Sequence, residues 1–191
     1  MLWVGSRSLE AWSSYPKLAS YNDEVEFTLR DFRREDFETL WRIDQECFPP
    51  GISYSRLELA AYIRRWGSFT LVAESADVDG NGIPSPSRQN VKPSSNTLGF
   101  IVAEASRRGV GHIITIDVLP AAYRLGVGSK LLNAAEDRLR TARCRSVFLE
   151  TAVDNQVALV FYKKHGYLLT KTIPRYYSNG VDALVLSKQL A

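Results

Sequence analysis

Cysteine is scarce in this 191-residue chain: Cys47 and Cys144 stand alone, at no disulfide-framework or metal-ligand spacing. That excludes a stapled secreted scaffold and a zinc ribbon, predicts no metal site, and points to a reducing compartment with two buried thiols. No apolar run approaches the roughly 20 residues of a membrane span. The opening stretch MLWVGSRSLEAWSSYPKL lacks the basic front and continuous apolar core of a signal peptide. Charge of one sign is also lacking. The net charge is only +3, and Lys and Arg interleave with Asp and Glu instead of forming a stripe, which argues against nucleic acid as a partner. The expectation is a cytoplasmic protein with neither membrane nor nucleic-acid partners, a monomer or dimer.

What is present is ordinary globular material, 45% apolar and 24% charged, in a length suited to one domain. Residues 1–24 show no clean period and read as an extension in which Trp3, Trp12 and Tyr15 are available to pack on the domain at 25–191. EFTLRDF alternates as a first strand. Asp36 to Cys47 reads as a helix stopped by Pro49, Pro50 and Gly51, and Ser55 as the N-cap of a second. SFTLVAES and TLGFIVAEAS form a hairpin around a polar loop at 77–96 that reads as mobile. Within it DVDGNG opens like a calcium loop, but the twelfth position is Arg88 where a bidentate Glu is needed, so it reads as a turn. GHIITIDVL, RSVFLETAV, LLTKTIPRYY and VDALVLSKQL complete the strands, with helices reaching about Arg143 and Gly166. Strands in hairpins with inserted helices predict an α/β (α+β) fold: a mixed, mainly antiparallel sheet with helices on its faces.

AAYRLGVGSKLL places two glycines between a strand and a helix. It fails the Walker spacing, since Gly128-Ser129-Lys130 follows a tyrosine where the first glycine belongs. It also fails the dinucleotide fingerprint, since Leu131 replaces the third glycine. The shared physics survives. Gly126 and Gly128 let a ligand approach the backbone, and fresh helical N–H groups stabilise an anion. A tight turn with no ligand explains this stretch equally well.

Taken with the second half, the pattern resembles the GNAT family of N-acetyltransferases. Gly126-x-Gly128 matches the acyl-CoA loop, and Asn155, Ala158, Tyr162, Gly166 and Tyr167 match the family's downstream Asn-x-x-Ala-x-x-x-Tyr-x-x-x-Gly-Phe/Tyr run. Tyr123 departs from the usual Gln or Arg. RIDQECFPPGISYS and RYYSNGVDALVLSK resemble, within the family, the ribosomal-protein alanine N-acetyltransferases, although the usual His/Phe-Pro-x-Trp is absent. The resemblance covers about Glu26 to Leu190. It implies a seven-stranded sheet with helices on both faces, and acetyl-CoA as co-substrate. The cofactor would be held by Ile116, Asp117 and Val118, by the loop Tyr123, Arg124, Leu125, Gly126, Val127, Gly128 and Ser129, and by Asn155.

Acetyl transfer to an amine needs a base, since an α-amino group has a pKa of roughly 7.7–8.0. Glu150 stands where the alanine N-acetyltransferases carry theirs; an exposed ion pair is its structural alternative. Asp117, Glu104 and His112 are weaker candidates, because alternation alone does not say where they point. Tyr162 shares a helix face with Asn155 and Ala158, at about 100° per residue, and is the candidate acid for the departing thiolate. A core tyrosine tied to a carbonyl is the competing reading. Backbone N–H groups near Ile116 to Val118 are candidates for the oxyanion. Tyr54, Tyr176 and Tyr177 are candidates to wall an acceptor cleft. The acceptor is expected to be a protein N-terminus, with a small amine or a silent acyl-CoA-binding module as alternatives.

Overall fold

The computed structural model describes residues 26–75 and 96–190. The expected N-terminal extension, and the polar loop with its DVDGNG stretch, therefore lie outside the described residues. In chain order the elements are β1 Phe27–Asp31, α1 Phe37–Cys47, α2 Arg56–Arg64, β2 Ser68–Ser75, β3 Thr97–Ala105, β4 Val110–Val118, α3 Val127–Thr141, β5 Ser146–Ala152, α4 Gln156–Lys164, β6 Leu168–Ile173 and β7 Ala183–Gln189. Ser55 caps α2 with its hydroxyl on Glu58 N–H while Glu58 returns to Ser55 N–H, a reciprocal box that fixes where the helix starts. One strand is shorter than its pattern suggested. Pro174 follows Ile173, so β6 stops there and Arg175, Tyr176 and Tyr177 enter a loop.

The seven strands form one sheet in the order β1-β2-β3-β4-β5-β7-β6. Every neighbouring pair is antiparallel except β4 and β5, which run parallel and are joined by the crossover helix α3. Each face buries its own apolar layer. Leu40, Ile43 and Cys47 of α1 and Leu59 of α2 pack with Val72, Phe100 and Val102 on one side. Leu131, Leu132, Ala135 and Leu139 of α3 and Ala158 and Tyr162 of α4 pack with Ile101, Ile113 and Ile116 on the other. The α3 helix is held in register by a buried carboxylate. Glu136 accepts from Lys188 Nζ of β7 at 2.7 Å, from the Tyr167 hydroxyl at 3.1 Å and from Arg140 at 3.3 Å. These bonds tie the C-terminal half of α3 to β7 and to Tyr167.

Two irregularities in β4 set up the site. Ala103 pairs with Ile113 and Val102 with Thr115, so Ile114 is an extra residue, a β-bulge. The bulge resets the alternation: His112, Ile114 and Thr115 face the α1 side, whereas Ile113, Ile116 and Val118 face α3. The second irregularity is that β4 and β5 pair only from Val110↔Ser146 to His112↔Phe148 and then part. A fork opens between them at the middle of the sheet.

Candidate active site

The fork exposes backbone. Leu119 N–H bonds Leu98 O on the β3 side at 2.9 Å, so Val118 and Ile116, alternating with it, turn their N–H groups away from β3 and into the fork. No strand partner meets them there among the described residues. Asp117 does not join them as expected. Its position in the alternation turns its backbone to β3 and its side chain toward α1, where it is fully buried and accepts from the Thr115 hydroxyl. Burial, then the neighbouring Asp44, pushes its carboxyl well above the usual range. Turned toward α1 and bonded to Thr115, it does not line the cleft where an amine would arrive. Glu104 is also occupied, by Arg65 at 3.1 Å.

Beyond β4 a short 3-10 turn, Pro120–Ala122, leads to Tyr123, which is half-buried against the α3-side core. Gly126 then takes φ 80°, a left-handed conformation that a side chain would strain, and α3 begins. The first helical bond is Lys130 N–H to Gly126 O at 2.9 Å, and Gly126 has no side chain to cap the helix. The N–H groups of Val127, Gly128 and Ser129 therefore precede the helical ladder and concentrate the positive end of its dipole. A Cβ on Gly128 would be in ordinary contact with the Phe161 ring, 3.5 Å away, so its absence keeps space next to those donors without leaving a hole. The Ser129 hydroxyl is engaged by His165. His165 donates from Nδ1 to Phe161 O at 2.8 Å, which leaves Nε2 to accept from Ser129 Oγ at 3.1 Å. What Ser129 offers an anion is its main chain. Arg124 holds φ 65° beside the loop.

Two polar groups face this side of the fork with bonding capacity to spare. Asn155 caps α4 by accepting from Ala158 N–H at 3.1 Å, while its buried Nδ2 has no partner among the described residues. Tyr162 is 0% exposed, and its hydroxyl likewise has none. Burial, and then the charge of Asp117, raises the phenol well above its ordinary range. The reading of Tyr162 as a core tyrosine tied to a carbonyl therefore does not describe this structure. A buried unpartnered hydroxyl costs about 1–3 kcal/mol, and these two groups have hydrogen-bonding capacity to offer a ligand, as do Thr151 Oγ1 and Asp117 Oδ2 among the described residues.

On the opposite, α1-side face the fork opens into a cleft of about 480 Å³. It brings together Glu150, Tyr54, Tyr176 and Tyr177, as well as His112, Tyr62 and Ile114. Glu150 does not form the exposed ion pair of its structural alternative. Its Oε2 meets His112 Nε2 at 2.8 Å, with the imidazole stacked on Phe148 at 4.3 Å and 6°. The pair stands at the last β4–β5 rung, at the crotch of the fork. The Tyr54 hydroxyl donates to the bulge carbonyl Ile114 O at 3.3 Å, and its ring packs on Tyr62 at 5.1 Å. Tyr176 and Tyr177 meet edge to face at 5.0 Å. The loop after α1 and the β6–β7 loop are latched across the cleft by Ser178 Oγ donating to Gly51 O at 3.0 Å. Sequence reasoning missed Tyr62 and this latch. The helical period of α2 gives no sign that Tyr62 reaches beyond its own layer.

Residues 37–167, more than half of the chain, match the Acetyltransferase (GNAT) family. An N-alpha-acetyltransferase of Sulfurisphaera tokodaii is 27% identical over 168 residues, which cover 86% of this chain and 94% of the relative. Among solved structures, Ard1 from Thermoplasma volcanium superposes with a TM-score of 0.71 at 27% identity, over 86% of this chain and 98% of that one. The NatC complex bound to Gag peptide and CoA gives 0.68 at 25% identity, over 87% and 99% of the two chains. The forked sheet, the glycine turn with its uncapped donors and the two orphaned polar groups thus belong to a known architecture: this chain is a member of the Acetyltransferase (GNAT) family.

Proposed function

We propose that the protein transfers the acetyl group of acetyl-CoA to the α-amino group of a protein N-terminus. The observation that carries the reading is that the fork joins two unlike faces. On the α3–α4 face are anion donors and orphaned polar groups; on the α1–α2 face is a tyrosine-walled cleft with a carboxylate–imidazole pair at its base. A thioester held on one face and an amine held on the other can meet only through the gap between β4 and β5.

The residues fit acetyl-CoA. Val127, Gly128 and Ser129 N–H groups would hold the diphosphate, and Asn155 Nδ2 and the β4 edge the pantetheine amides. The co-substrate supplies an acetyl thioester. The protein does the rest. Glu150, oriented by His112, takes the ammonium proton, directly or through a water, so that the amine reaches the fork neutral. Ile116 and Val118 N–H groups face the position where the acyl oxygen gains charge. Tyr162 Oη is the proton source for the departing sulfur. The phenol's raised proton affinity is matched because the same burial raises that of the thiolate.

Peptide acceptors are favoured over polyamines by the walls of the cleft. Tyr54, Tyr62, Tyr176 and Tyr177 give flat amphipathic surface, while among the described residues the carboxylates lining it are Glu58, turned onto its own helix cap, and Glu150. A ribosomal-protein N-terminus beginning with alanine is the narrower form of this reading. The test is free-thiol release from acetyl-CoA over a panel of peptides with different first residues and of small amines, alongside thermal unfolding with and without acetyl-CoA. Turnover confined to small amines would overturn the peptide acceptor. Stabilisation by acetyl-CoA without thiol release on any acceptor would overturn the enzyme.

A further inference from the structure

A second groove, of about 630 Å³, lies between the start of β2, the β3–β4 turn and the C-terminal end of α3. Since α3 spans 15 residues, this is about 20 Å along the helix from the glycine turn. Arg107, Arg108, Arg138, Arg143 and Arg145 line it together with Trp66, and among the described residues no acidic side chain does. Arg138 pairs with Asp31 and lies over the Phe69 ring. The guanidiniums of Arg107, Arg108, Arg143 and Arg145 have no acidic partner among the described residues. Trp66 is 65% exposed and carries Arg107 against its ring at 4.5 Å. Arginines at a helix C-terminus are explained by the helix dipole, which accounts for Arg138 and for Arg143 just beyond it. It does not account for Arg107 and Arg108, which come from a turn between two strands. The left-handed φ of 62° at Arg143 belongs to the helix stop itself, where Cys144 N–H returns to Leu139 O at 2.9 Å.

We propose that this groove binds single-stranded nucleic acid, with the arginines on phosphates and Trp66 as a stacking platform for a base. The interleaving of charge that argued against such a partner in the linear sequence is undone by folding, which collects cations from two separate segments onto one face. An exposed tryptophan beside unpaired guanidiniums favours nucleic acid over an acidic protein segment, because bases supply the flat π-face that carboxylates lack. The groove is remote from the fork and the proposal is independent of the acceptor.

The experiment measures fluorescence anisotropy of labelled 20-nucleotide oligo(U) and oligo(dT) with the full chain, from 25 to 200 mM salt, with a glutamate 20-mer as the competing acidic polymer. Four phosphate contacts predict a log–log salt slope of about −2.8 for a single strand. R107E with R143E should bring the slope to about −1.4 and weaken binding at least tenfold. Trp66→Ala should weaken it about tenfold with little change of slope. Acetyl transfer to a free peptide should stay within twofold of wild type in both. R108A with R145A is the second pair should the first fail to fold, as judged by thermal unfolding. RNA and DNA arms decide which strand is preferred, and binding of either supports the proposal. Absence of saturable binding at the lowest salt, binding indifferent to the arginine pairs, or equal affinity for the glutamate polymer would overturn it.

Discussion

Replacing Tyr162 by phenylalanine separates a working hydroxyl from a structural one, because the two make opposite predictions. The hydroxyl is fully buried and has no hydrogen-bond partner among the described residues. Deleting it removes an uncompensated polar group worth about 1–3 kcal/mol and leaves only the space of one oxygen atom behind. The ring contacts with Phe161 at 5.2 Å and Tyr167 at 5.4 Å are unchanged in phenylalanine. The ligand-free variant should therefore be more stable by about 1 kcal/mol, which for a chain of this size raises the unfolding temperature by about 2–4 °C. Turnover should move the other way. Loss of a positioned acid typically removes 10²–10⁴-fold in rate, about 3–5 kcal/mol of transition-state stabilisation, whereas equilibrium affinity for acetyl-CoA should stay within about twofold. The assays are differential scanning calorimetry of the free protein, titration with acetyl-CoA, and thiol release at saturating peptide. A variant that unfolds several degrees lower while turning over at the wild-type rate would refute the reasoning at both ends: the hydroxyl would be holding the fold and doing no chemistry.

Other perturbations address the remaining parts. Glu150→Gln keeps an acceptor for His112 but cannot take a proton, so kcat/KM at pH 7 should fall about 10²–10³-fold and recover as the pH approaches that of a neutral amine. A profile that only scales down would make Glu150 a positioning residue. Gly128→Ala places a Cβ at ordinary contact distance from Phe161, so the free protein should melt within about 2 °C of wild type while acetyl-CoA binds at least tenfold more weakly; undiminished binding would remove the diphosphate from this turn. Asp44 concerns stability. Burial raises its carboxyl from an ordinary 3.8 to about 7, so between those values the folded protein keeps a proton that the unfolded chain has lost. Stability from this group is full below about pH 4 and declines toward pH 7, by up to about 1.4 kcal/mol per pH unit. Urea unfolding at pH 5 and pH 7 should show that decline in the wild type and a flatter response in Asp44→Asn; equal slopes would mean that Asp44 is ionised in the folded protein.

How much of this was legible beforehand depends on how far each feature reaches along the chain. Local signals carried the elements. Alternation marked the first strand and apolar, β-branched runs such as GHIITIDVL the others, Ser55 marked the start of α2, and Gly126-x-Gly128 marked the turn whose donors precede the α3 ladder. The Asn155–Ala158–Tyr162 stripe predicted one helix face, and the structure puts all three on it. The His112–Glu150 pair was not legible as a pair. His112 and Glu150 lie 38 positions apart, and only the parallel register of β4 on β5 brings them to 2.8 Å. That register is set by the length and packing of the intervening crossover helix, which no short window contains. Which face each β4 side chain takes was hidden for a different reason. Strict alternation through GHIITIDV would put His112, Ile114, Ile116 and Val118 on one side. The single extra residue at Ile114 breaks that series, leaving His112 and Ile114 in the acceptor cleft and turning Ile116 and Val118 into the α3-side core.

The same residue explains why the two irregularities belong together. A strand that must offer side chains to an acceptor on one face and backbone donors to a thioester at its edge cannot do both in an unbroken ladder. In such a ladder the N–H groups of Ile116 and Val118 would be spent on β5 and His112 would share a face with the α3-side core. The bulge changes the face, and the early parting of β4 from β5 frees the edge. Tyr54 Oη on Ile114 O then holds the bulge from the acceptor side. Deleting Ile114 leaves each remaining β4 residue opposite its present β3 partner and on its present face, so what it removes is the bulge carbonyl that Tyr54 holds and the bend it makes beside the cleft. Transfer to a peptide should fall while the free protein still binds acetyl-CoA; transfer at the wild-type rate would mean that the bulge does not position the cleft.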